Sequence, residues 1–173
     1  MRPSGAPAEA DIAIVTWQLG RPARGAWMVD ARCSWGRPTV VVTEPILSDG
    51  RPFPTLLWLT CPWLCQRAAA RESAGDTDQW RARLAAEPEL ADRMRVADGA
   101  YWSRRAQVAG GIDPCAGTGV AGQRDPLATK CLHAHVAAAL GGLADPIGLA
   151  LLATGERACP DDRCAGALVE SDA

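Results

Sequence analysis

The sequence predicts an α+β single domain, a small antiparallel sheet of about three strands from the N-terminal third covered by about four to six helices. Three observations predict it. Runs of β-branched and aromatic residues separated by turn residues are confined to the stretch before Thr60. After Thr60 the hydrophobic period changes from two toward 3.6. Beyond that point Gly and Pro fall where helices stop and start.

The elements follow in order. Residues 1–8, rich in Pro, Ala and Gly, are expected to be disordered. Asp11 is placed to cap a short helix with Ile12, Val15 and Leu19 on its apolar face, ended near Gly20. Ala26 to Cys33, a turn at Ser34 to Arg37, and the run Thr39-Val40-Val41-Val42-Thr43 read as a hairpin. After a turn at Asp49-Gly50, Thr55 to Thr60 reads as a third, buried strand. Pro62 suits a first helical position, so a helix is expected over Cys61 to Ser73, stopped by Gly75. Helices over Thr77 to Ala86 and Pro88 to Val108 follow, divided at Glu87-Pro88. Gly110 to Pro126 is a glycine-rich loop. Its Gly117-Thr118-Gly119 segment resembles a phosphate cradle superficially, because no strong strand precedes it. Helices over Ala128 to Leu140 and Pro146 to Leu152 complete a domain spanning residues 9–155, followed by a polar, cysteine-containing tail over 156–173.

Composition limits the function. A chain of 173 residues can bury a core without a covalent staple. Its net charge of −2 carries no footprint for nucleic acid. The apolar run from Val136 to Ala153 is interrupted by Gly141-Gly142 and Asp145-Pro146, so no membrane span is expected. The N-terminus lacks the apolar centre of a signal peptide, and seven cysteines is an odd number, which together predict a cytoplasmic protein with free thiols. Seven tryptophans spread along the chain are read as core anchors.

The chemistry concentrates in one place. Of 18 basic residues only Lys130 is lysine, and it directly precedes Cys131-Leu132-His133-Ala134-His135, which holds both histidines. Lysine is a titratable point charge where arginine is a permanently charged fork, so a lone lysine there points to a specific use. If the helix includes Cys131, that thiol shares a face with His135 four residues on. If it begins near His133, Lys130, Cys131 and His133 converge at its N-terminus, where the dipole favours a thiolate or an anion. Cys159 and Cys164 lie in a polar tail where burial gains nothing, and the Cys61/Cys65 spacing is not that of a zinc knuckle. A soft-ligand site drawn from Cys33, Cys131, His133, Cys159 and Cys164 suits zinc or an iron–sulfur cluster.

Several motifs together resemble one family. Gln18-Leu19-Gly20-Arg21, Arg32-Cys33, Asp49 to Thr55 with its Pro-Phe-Pro-Thr, Leu59-Thr60, Lys130 to His133 and Asp145 to Gly148 are similar to the bacterial domain of unknown function 501 over about residues 11–152. Many relatives carry Ala-His where this chain has Ala137-Ala138, so any role of that histidine is absent here or moved to His135. The resemblance implies no activity. Actinobacterial relatives often lie beside genes for a septum-formation initiator and an exopolyphosphatase, which implies a cell-division protein as partner. Three readings stay open: a metal or cluster protein centred on Cys131 and His133; a metal-free enzyme with Cys131 as nucleophile, His133 as base and Lys130 assisting; and a non-catalytic adaptor for division or envelope proteins.

Overall fold

A computed structural model of the chain describes residues 6–168. Six α-helices and a three-stranded sheet make the α+β arrangement that the sequence predicts, with the sheet in the N-terminal part. Most of the predicted disordered N-terminus and the last residues of the predicted tail lie outside the described residues.

The order is α1 (Glu9–Leu19), β1 (Trp27–Arg32), β2 (Pro38–Thr43), β3 (Leu57–Leu59), α2 (Pro62–Ser73), α3 (Asp76–Ala86), α4 (Pro88–Ala109), α5 (Leu132–Leu140) and α6 (Pro146–Ala153). Asp11 lies inside α1 rather than capping it. Its carboxylate instead takes two hydrogen bonds, at 2.8 and 2.7 Å, from Arg32 at the end of β1. The third strand is shorter than the predicted Thr55 to Thr60, because the Leu56 amide leaves the ladder and donates to the Tyr101 hydroxyl of α4 at 2.7 Å.

Strand order is β1-β2-β3, antiparallel throughout. The Val40-Val41-Val42 run is buried on both sides, which explains its unbroken apolar character. Val40 and Val42 face the main core with Leu57, Leu59, Leu132 and Val136, beneath α5. Val41 faces the other way, against Trp27 and Val15 of α1. The sheet is therefore a middle layer, with α1 on one face and the remaining helices on the other.

Three devices fix the helices that carry the site. Gly148 in α6 lies so close to α5 that a Cβ there would stand 2.0 Å from the His135 carbonyl oxygen. Asp145 caps α6, accepting from the Gly148 amide at 2.8 Å. Arg105 of α4, fully buried, holds the loop after α4: it pairs with both oxygens of Asp113 and donates to the carbonyls of Pro54, Cys115 and Thr118.

Candidate functional site

Helix α5 starts at Leu132, so Cys131 is its N-cap residue, in extended conformation with φ −151° and ψ 114°. The face shared by Cys131 and His135 therefore does not form. What forms is the convergence of Cys131 and His133 at a helix start. His133 sits in the first turn, with its Nδ1 3.8 Å from the Cys131 sulfur.

A third residue completes the group. Glu72, in the last turn of α2, accepts from the Leu132 amide at 2.6 Å, and the same oxygen lies 3.2 Å from His133 Nδ1. A carboxylate at a helix N-terminus satisfies an orphan amide and meets the positive end of the dipole, so Glu72 has a structural role whatever else it does. It also supplies a ligand atom. One atom each from Glu72, Cys131 and His133 lies within 4.8 Å of the others, and among the described residues no other set of three does so. All three residues are half-buried, open enough for an ion or small molecule to reach.

The electrostatics are those of an acceptor-rich pocket. The hydrogen bond to Cys131, reinforced by Glu72, raises His133 from its ordinary 6.5 to about 9 against the opposing effect of burial. Lys130, directly before Cys131 in the chain, is exposed.

The remaining predicted ligands collect elsewhere. Cys33 and Cys159 line one cavity of about 600 Å³ with Trp35 and Thr39. Cys159 and Cys164 are buried, 7% and 3% exposed, which corrects the expectation that a polar tail leaves them in solvent. The tail packs instead: Trp35 Nε1 donates to the Cys159 carbonyl at 2.8 Å, and Arg37 holds Asp162 through both oxygens.

Two features escaped the sequence. Glu72 is 61 residues from His133 and carries no local signal. His135 is fully buried, with Nδ1 2.7 Å from Asp145 Oδ2 and no partner for Nε2. The buried Asp98 likewise has an unpartnered Oδ2. The Asp145-Pro146 pair was visible as a helix start, but not as a histidine partner.

The fold and the site together define an α+β protein with a half-buried Glu/Cys/His group at a helix N-terminus. The family follows from comparison. A family described as protein of unknown function (DUF501) matches residues 29–153, and the chain belongs to it. No curated protein and no solved structure matches the chain. Among the described residues, no helix is long and apolar enough to cross a membrane.

Proposed function

We propose that the chain binds one zinc-class divalent ion through Glu72, Cys131 and His133, with a further coordination position open to water or substrate. The observation that carries this reading is the approach of three ligand atoms, from two helices, to within 4.8 Å of one another. A mixed sulfur, nitrogen and oxygen set suits a borderline-soft ion that accepts all three, and zinc is the commonest such ion. Three protein ligands with an open fourth position is the arrangement of catalytic rather than structural zinc sites. An ion there would polarise a bound water, and the exposed Lys130 ammonium would favour an anionic substrate beside it.

The seven free cysteines support a reducing compartment, in keeping with a cytoplasmic protein. A second reading has its own observation. His133 Nδ1 lies 3.8 Å from the Cys131 sulfur, which suits a metal-free nucleophilic thiol with His133 as its proton partner.

Zinc titration of the reduced protein, with a chromophoric competitor, tests the first reading. Cys131→Ser, His133→Gln and Glu72→Gln should each remove one equivalent of tightly bound zinc. Unchanged stoichiometry and affinity in all three variants would refute it. Rapid alkylation of Cys131 in metal-free protein, lost in His133→Gln, would favour the nucleophile.

A further inference from the structure

Four cysteines from three separate segments meet at the other end of α2. Cys33 is in the β1–β2 turn, where its carbonyl accepts from the Gly36 amide at 2.9 Å. Cys61 caps α2 and is 5% exposed. Cys159 and Cys164 come from the C-terminal segment, which folds back onto that turn. All four lie about Pro38 and Thr39: Cys33 and Cys159 line one cavity with Thr39, the Cys61 amide donates to the Thr39 carbonyl at 3.4 Å, and the Gln18 amide that donates to the Pro38 carbonyl at 2.8 Å also reaches Cys164.

Polar groups lie around them. The Gln18 amide donates to the Cys164 sulfur at 3.4 Å, a contact that orients and stabilises a sulfur ligand. Arg37, in the same turn as Cys33, is held by both oxygens of Asp162, two residues before Cys164. Thr39 lines the same cavity as Cys33 and Cys159, is 2% exposed, and its hydroxyl has no partner. Buried thiols could equally serve as small apolar fillers. That role does not account for four of seven cysteines collecting at one end of the sheet, two of them lining a cavity and two of them from a polar segment.

We propose that Cys33, Cys61, Cys159 and Cys164 form a second metal site, which takes a zinc-class ion and clips the C-terminal segment to the β1–β2 turn. Each thiol that becomes a ligand releases its proton to solvent as its sulfur–metal bond forms. In a tetrahedral zinc site with bonds of about 2.3 Å the sulfurs stand about 3.8 Å apart. Among the described residues only the Glu72 group has three ligand atoms within 4.8 Å of one another, so the four thiols stand further apart than such a site requires. Metal entry therefore draws the C-terminal segment inward.

The test is independent of the Glu72 site, because it uses a Cys131→Ser/His133→Gln variant that lacks it. Titrated with cobalt(II), this variant should bind one equivalent with intense thiolate-to-metal charge-transfer bands. Adding Cys33→Ala or Cys164→Ala should abolish those bands. Absence of cobalt binding by the folded variant, or bands that survive both alanine substitutions, would overturn the proposal. A second arm uses the unaltered chain, in case the combined variants fail to fold. Trypsin cleavage after Arg157 and Arg163 should slow about tenfold with zinc at about ten times its dissociation constant. Cleavage indifferent to saturating zinc would also overturn it.

Discussion

Replacing Arg105 with methionine should be among the most damaging single changes in the chain. The guanidinium is fully buried and makes five hydrogen bonds: two to Asp113 at 2.7 and 2.6 Å, and one each to the carbonyls of Pro54, Cys115 and Thr118. Methionine keeps most of the stem's apolar volume but leaves an unpaired carboxylate and three carbonyls behind. Breaking a buried ion pair from one side costs about 3–5 kcal/mol. Asp113 retains some solvent, at 12% exposed, and still accepts from the Cys115 amide at 2.9 Å. The lower end of that range therefore applies, about 3 kcal/mol, equivalent to a Tm drop of about 6–12 °C for a domain this size.

Urea unfolding followed by tryptophan fluorescence measures the loss directly. Its pH dependence adds a second check. Burial alone would raise the Asp113 carboxyl, but Arg105 and the Cys115 amide outweigh it and hold it below the usual carboxylate range. A depressed pKa contributes stability that is present above the unfolded value, about 3.9, and is lost as pH falls through the folded one. The gap between parent and variant should therefore narrow as the pH is lowered from about 5 through that range. A loss below about 1 kcal/mol at neutral pH, or a gap independent of pH, would refute the reasoning.

Other perturbations give separate readouts. Tyr101→Phe removes the acceptor of the buried Leu56 amide and should cost about 1–3 kcal/mol in the same urea assay. Gly148→Ala forces α5 and α6 apart, since its Cβ would stand 2.0 Å from the His135 carbonyl oxygen, and should cost at least the roughly 1–3 kcal/mol of an overpacked core. In metal-free protein, His133 carries a pKa raised from 6.5 to about 9, so its contribution is fully present below about 6.5 and fades as pH rises through 9. Thermal melts across that window should show a falling Tm that His133→Gln flattens.

Local signals carried most of the fold because they act over a few residues. Pro62, Pro88 and Pro146 each occupy a first helical position, and Gly20 and Gly110 end helices in left-handed conformations. The Val40 to Val42 run announced a strand, which the structure buries on both faces. The site was half legible. Lys130, Cys131 and His133 are adjacent in sequence, and their convergence at a helix start was one of two expected arrangements. Glu72 was not legible, because an acidic residue near the end of a helix is ordinary, and only tertiary packing brings it to α5. Cys159 and Cys164 were misjudged as exposed because composition says nothing of a tail that folds back. Arg105 gave no sign either. Among 17 arginines, a buried one looks like the rest until the loop it holds is seen.

The clustering of Ile14 with Cys164 and Ala167 bears on where this molecule can be cut. The family match begins at residue 29 and stops at 153, so both partners in that contact lie beyond it, as does the Val15 that covers Val41. The first and last segments thus act as a clasp, fastened to each other and to the underside of the sheet by Asp11 with Arg32 and by Arg37 with Asp162. A fragment trimmed to the matched stretch would bare Val41, Val29 and Trp58 to water and present them to the nearest sticky neighbour. Relatives that share only the matched stretch need some other cover for that surface, and what they use is a place to look for how members of the family diverge.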